Sequence, residues 1–205
     1  VYVALLGISV LVVFDFWNVD RRYINDENYQ RQAVQGFLDP TPADQFIKKN
    51  PGQHYRVLNL NNPFNEAKTS ANHSSLGGYH GAKMKRYQEL IENCLSSNLA
   101  EMIGVLQNGS KDLSKFTAVN MLNAQYLKFG EQANNVLPND YSYGNAWFTE
   151  SMISVKNSDE ELAAVCSLVS QKMTVMNAEK FKSSQSVYDA AATIALETYQ
   201  PNLLK

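Results

Sequence analysis

Residues 55–92 read YRVLNLNNPFNEAKTSANHSSLGGYHGAKMKRYQELIE, and they decide the fold. Residues 55–60 alternate and carry Val57, Leu58 and Leu60, the pattern of a short strand. Asn62-Pro63-Phe64-Asn65 stops it, because proline cannot donate to a strand ladder. Gly77-Gly78-Tyr79-His80-Gly81 then permits a sharp turn or a close backbone approach, with at least one glycine expected at positive φ. Met84, Tyr87, Ile91 and Cys94 follow at helical spacing, so a helix is predicted over residues 82–95. Strand, glycine turn and helix in succession point to an α/β arrangement.

Working outward, Thr41-Pro42-Ala43-Asp44 marks a helix start, a threonine cap followed by proline at the first helical position. Phe46 and Ile47 give that helix an apolar side, and Asn50-Pro51-Gly52 ends it. Asn25-Asp26-Glu27-Asn28 reads as a turn. Downstream of the central helix, Ser96-Ser97-Asn98 suggests a break, with a second helix over 99–106 closed by Asn108-Gly109-Ser110. Residues 117–122 suit one helical turn and 125–129 a strand. Residues 137–143 read as loop, and 146–156 as a kinked strand. Ser158 and Glu161 have the spacing of a capping box, opening a helix whose buried face would be Leu162, Val165, Cys166 and Val169. Residues 173–176 and 192–196 are further strand candidates. The expected fold is therefore α/β: a mixed sheet with flanking helices, in one compact domain with an N-terminal apolar segment.

The segment VYVALLGISVLVVF, residues 1–14, carries no charge. It is shorter than the ~20 residues of a complete membrane span. Phe16 and Trp17 follow, then Arg21-Arg22, the order found where a membrane helix reaches the interface. The end of a membrane helix is the favoured reading. A buried strand is the alternative, since residues 8–14 are dense in β-branched side chains. A signal peptide fits less well, for want of a basic start and a small-residue cleavage site.

The chain has 205 residues, enough for one well-buried domain. Apolar residues make up 44% and the formal net charge is −2, which gives no general attraction to nucleic acid. The two cysteines, Cys94 and Cys166, lack the spacing of a zinc site. They read as free thiols, with a disulfide open if the domain is extracytoplasmic. Val1 at the start and Pro201-Asn202-Leu203-Leu204-Lys205 at the end read as cut or processed ends of a longer chain.

Candidate binding residues gather around the glycine turn: His73, Ser75, Gly78, Tyr79, His80, Lys83 and Arg86. Lysine and arginine beside a helix start can grip an anion, the arginine through two parallel hydrogen bonds. The bland alternative is a solvated helix face. His73 and His80 have no third ligand nearby, and loop histidines are usually solvated. Ser74 and Ser75 lack the context of a nucleophile. Asp15, Asp20, Asp26, Glu66 and Asp140 are acids without a readable pairing. Tyr79, Tyr87, Tyr141, Tyr143 and Trp147 are suited to stack on sugar rings or to pack in the core. No catalytic residue, metal or cofactor is assigned.

NPFN…SSLGGYHGAKMKRYQELI resembles the YfhO-type family of large bacterial membrane proteins, in its Bacteroidetes form. Residues 15–23, DFWNVDRRY, resemble that family's junction after a membrane helix. Residues 119–127, 144–148 and 193–204 resemble later pieces in the same order. The resemblance implies an extracytoplasmic domain of a polytopic membrane protein, periplasmic in a Gram-negative cell. The apolar segment would occupy residues 1–17, the α/β domain 18–192, and the start of a β-rich region 193–205. It also implies a link to envelope glycosylation by enzymes with a GT-C-like membrane core. In that setting the domain would be accessory, presenting a carbohydrate or lipid-linked acceptor, or else a purely structural interaction module. The implied partners are the rest of the parent protein and a carbohydrate or lipid-linked sugar; the apolar segment by itself points to a second copy that could cover it, and the net charge to no nucleic acid.

Overall fold

A computed structural model of the chain describes residues 1–25, 36–50, 54–182, 189–200 and 203–204. Two compact units divide it, residues 1–39 and 40–205.

The first unit is built on helix α1, Tyr2–Tyr23. The predicted apolar run is thus helical and reaches nine residues beyond Phe14, which settles the strand alternative. None of its residues is buried. At ~1.5 Å per residue it spans about 33 Å, close to the ~30 Å of a bilayer core. Its polar side chains fold back on the helix: Ser9 Oγ donates to the Leu5 carbonyl at 2.9 Å, and Asn18 Nδ2 to that of Phe14 at 2.8 Å. Arg21 and Arg22 sit in the last turn, where they complement the helix dipole. The turn predicted at 25–28 extends outside the described residues.

The second unit is an α/β domain around a mixed three-stranded sheet. Strands β1 (Arg56–Asn59) and β2 (Ala124–Lys128) pair in parallel, and β2 pairs antiparallel with β3 (Val136–Pro138). Before β1 comes α2, Pro42–Lys49, with the predicted Thr41 cap and Pro42 at its start. Between β1 and β2 the chain crosses over through α3 (Lys68–Asn72), α4 (Lys85–Leu90), a π-helical turn (Ile91–Leu95), α5 (Ser96–Gln107) and α6 (Thr117–Met121). Alternation along the strands assigns the two faces. Leu58 and Leu127 join Ile91, Leu95, Met102, Phe116 and Val119 in the main core. Val57 and Tyr126 face the other way and pack with Ile47 of α2. Lys128, two residues beyond Tyr126, shares the α2 face.

The expected break at Ser96–Asn98 is instead a continuous helix with one widened turn. Ser96 Oγ donates to the Ile91 carbonyl at 2.8 Å, and Ser97 Oγ to that of Cys94 at 2.9 Å. Serine hydroxyls bonding back onto helix carbonyls loosen a turn without ending it. The extra residue keeps Ile91, Cys94 and Leu95 buried together with Leu99 and Met102.

Strands β4 (Ser151–Val155) and β5 (Met173–Asn177) form a separate parallel pair joined through α7, Ser158–Cys166. The cap of α7 lies one residue earlier than predicted: Asn157 Oδ1 accepts from the Glu160 amide at 2.9 Å. Leu162, Val165 and Cys166, predicted for the buried face of α7, are partly buried, with Cys166 packed on the main core, whereas Val169, past its end, is 78% exposed. Residues 192–196 form no strand; β6 (Tyr199–Gln200) and β7 (Leu203–Leu204) pair antiparallel instead. Residues 137–143, read as loop, supply part of β3.

Candidate functional site

The glycine turn packs against the loop before it. Gly78 adopts φ +105°, as expected for this turn. Its amide donates to the Pro63 carbonyl at 3.1 Å, and that of Tyr79 to Glu66 at 3.2 Å. A Cβ at Gly77 would lie 1.7 Å from the Pro63 oxygen, so glycine there serves close backbone contact. Ser75 Oγ accepts from the Gly77 amide at 3.2 Å. Tyr79 is 74% exposed. His80 is exposed too, its Nδ1 accepting from the Ala82 amide. Lys83 Nζ reaches the Phe64 carbonyl at 3.3 Å, and Arg86 pairs with Glu161 of α7 at 3.0 Å. Turn, lysine and arginine thus have separate protein partners.

His73 departs from the expectation of a solvated loop histidine. Its side chain is fully buried between two partners. Nε2 lies 3.1 Å from Asp44 Oδ1, and Nδ1 lies 3.1 Å from the Tyr55 hydroxyl. Lys128 Nζ donates to the same Asp44 oxygen at 2.6 Å. Asp44 Oδ2 accepts from the Thr41 amide at 2.9 Å and the Thr41 hydroxyl at 2.6 Å. One carboxylate thus accepts four hydrogen bonds, closing a network over α2, β2 and the residues flanking β1 and α3. Burial raises the Asp44 pKa, but the Lys128 and Thr41 hydrogen bonds and the Lys128 charge outweigh it and hold it at about 2. Burial pushes the His73 pKa down, outweighing the charge and hydrogen bond of Asp44. Burial and the neighbouring Tyr126 push that of Tyr55 up. The imidazole is therefore neutral at neutral pH, donating from Nε2 to Asp44 and accepting at Nδ1 from Tyr55. Every partner is satisfied, which makes this a structural clamp. Among the described residues, no group of three or more His, Cys, Asp or Glu side chains is placed to hold a metal.

A second constellation has the opposite character. At the start of β1, the turn after α6 and the segment 144–147 lies a hollow of about 300 Å³. His54, Arg56, Ser74, Asn123, Asn145 and Trp147 line it. Asn123 Nδ2 donates to the His54 carbonyl at 3.2 Å and to Asn145 Oδ1 at 3.0 Å. Its Oδ1 is buried without a partner, and so is Trp147 Nε1. The Trp147 ring meets Tyr143 edge-on, with centroids 5.2 Å apart. His54 at φ 53° and Asn123 at φ 58° are the only non-glycine residues at positive φ among those described.

No protein-family model, characterised protein or solved structure matches the chain. The site is therefore read from its own chemistry. Asp44 and Lys128 escaped the sequence reading. Asp44 looked like part of a helix start, which it also is, through the capping box. A lysine in the strand pattern AQYLK was the available signal for a buried cation. Trp147 was legible as an aromatic suited to sugars; Asn123 gave no sign of its role.

Proposed function

We propose that this chain is an accessory extracytoplasmic domain tethered to a membrane through α1. Its parent would be a polytopic protein resembling the YfhO type, concerned with envelope glycosylation. The domain presents a carbohydrate or lipid-linked acceptor and performs no bond-making chemistry itself. The observation that carries this reading is α1: twenty-two residues, uncharged from Tyr2 to Phe14, with no buried residue. Exposure of Leu6, Val10, Val13, Phe14 and Trp17 to water would be costly, and a bilayer removes that cost. The intrahelical bonds of Ser9 and Asn18 suit a medium without water. Trp17 and the two arginines match an interfacial end.

The same exposed helix favours a narrower alternative, an interaction module that only packs against neighbouring membrane helices. Gly7 and Ser9 are small enough for close helix contact. Both readings place α1 in lipid. Expression of the full chain in a bacterial host, followed by alkaline carbonate extraction, tests this: the protein is expected in the membrane pellet. Recovery in the soluble fraction would remove the basis for both.

A further inference from the structure

We infer that the cavity between the end of α5 and the carboxyl ends of β1 and β2 binds the hydrocarbon chain of an anionic amphiphile, whose carboxylate or phosphate head meets Lys111. The inference deepens the acceptor-presenting reading and rests on it for biological setting, though not for its chemistry.

The cavity has a volume of about 540 Å³, well inside the range of small-molecule sites. Six apolar side chains shape it: Leu60, Ile103, Leu106, Phe129, Val136 and Leu137. Leu60 directly follows β1 and Phe129 directly follows β2, the two strands that run parallel. The crevice beyond the carboxyl ends of parallel strands is where open α/β sheets take their ligands. Backbone bonds fix its mouth. The Leu60 amide donates to the Lys128 carbonyl at 2.8 Å, and the Phe129 amide to that of Asn135 at 3.0 Å. Asn61 Nδ2 donates to the Phe129 carbonyl at 3.1 Å. A cavity held open in this way loses little freedom on binding.

The ligand's chemistry follows from the lining. Met102 is fully buried, yet Ile103 and Leu106 on the same helix stay half-buried, and Phe129 is 42% exposed. A hydrocarbon chain in the cavity would remove these accessible groups from water. Charge sets the other end of the ligand. Lys111 lines the cavity, is exposed, and forms no ion pair among the described residues. Among those residues no Asp or Glu lines the cavity. The acids flanking this stretch are engaged: Asp112 Oδ1 accepts from the Ser114 amide at 3.0 Å, and Glu101 pairs with Lys115. The Gly109 amide bonds the Leu106 carbonyl and the Ser110 amide that of Val105, which blunts the negative end of α5 beside Lys111. Apolar walls beside one uncompensated cation fit a chain with an anionic head better than one with a neutral or cationic head.

The test uses the full chain in lipid nanodiscs and a decanoate carrying a photoreactive diazirine midway along its chain. After irradiation, peptide mass spectrometry should place label on residues 103–111 and 129–137. Label on α1 comes from probe dissolved in lipid and serves as the internal reference. Unlabelled decanoate and decyl phosphate should reduce the cavity label relative to that reference, decanol less and decyltrimethylammonium least. The stronger of the first two identifies the head group. Ile103→Trp should fill the cavity and cut its label about tenfold, with the melting temperature unchanged. Lys111→Gln, a change at an exposed position, should weaken competition by decanoate about threefold and leave decanol unaffected. Label confined to α1 would overturn the assignment. So would cavity label that survives Ile103→Trp in a folded chain, or that decyltrimethylammonium displaces as well as decanoate does. Carbonate extraction reads the membrane tether separately, and a chain found soluble is labelled without lipid, so failure of one proposal is distinguishable from failure of the other.

Discussion

Asp44 shows how one residue holds several elements. It caps α2 through Thr41, neutralises Lys128 on β2 and anchors His73 after α3. Asp44→Asn would leave the Lys128 charge buried without a counter-ion, at a cost of about 3–5 kcal/mol. Lys128→Met should cost less, because the carboxylate keeps its bonds from Thr41 and His73. Chemical denaturation of the two variants checks that order. The pH dependence follows from the same groups. Asp44 is depressed in the folded state, so its contribution is present above its usual value near 3.8 and is lost as pH falls toward about 2. His73 is also depressed. Below 6.5 the unfolded chain takes up a proton that the folded chain refuses, so stability falls on acidification from that point. Melting temperatures from pH 8 to pH 3 should show both declines, and His73→Gln should flatten the first alone. A melting temperature that rises between pH 7 and pH 5 would contradict the buried neutral imidazole.

At the scale of elements, the widened turn at Ile91–Leu95 decides the state of Cys94. The thiol is buried against the core, and burial, with the Cys166 hydrogen bond and charge, pushes its pKa up to about 12. Thiolate is the reactive form, so Cys94 should be nearly inert to iodoacetamide at pH 8 in the native chain. Half-buried Cys166 should label first, with Cys94 following only on unfolding; peptide mass spectrometry resolves the two. Much of this layer was legible from local pattern. The strand around Val57 and Leu58, the Thr41 cap, the single turn α6 and strand β5 all announce themselves by alternation, capping chemistry or helical spacing. What local pattern hides is set by partners far along the chain. Leu137-Pro138 looks like the start of a loop because of its proline, yet it pairs at the sheet edge beside β2. Ser96-Ser97-Asn98 looks like a break because serine competes for backbone bonds, yet buried residues on both sides hold the helix together. The candidate site divides the same way. Trp147 could be picked out by type, whereas the unpaired Oδ1 of Asn123 and the burial of His73 exist only once distant segments meet.

For the whole molecule, the chain carries two apolar surfaces of different kinds. The second unit turns Leu58, Leu95, Met102 and Phe116 inward, away from water. The first presents its apolar side chains outward along α1, where Leu11 is 69% exposed. If α1 lies in lipid, the two surfaces answer to different perturbations. Leu11→Arg places a charge near the middle of the span and should cost about 2.5–3.5 kcal/mol of insertion, shifting the full chain from the carbonate-resistant pellet toward the soluble fraction. It should leave the unfolding of the second unit unchanged. Leu58→Ala empties a fully buried position and should cost that unit about 2–5 kcal/mol, with no change in membrane recovery. Fractionation and thermal unfolding, measured on both variants in the full chain, separate the effects. A Leu11→Arg chain that stays in the pellet, together with a Leu58→Ala chain that leaves it, would mean that the folded domain and not α1 holds the protein at the membrane.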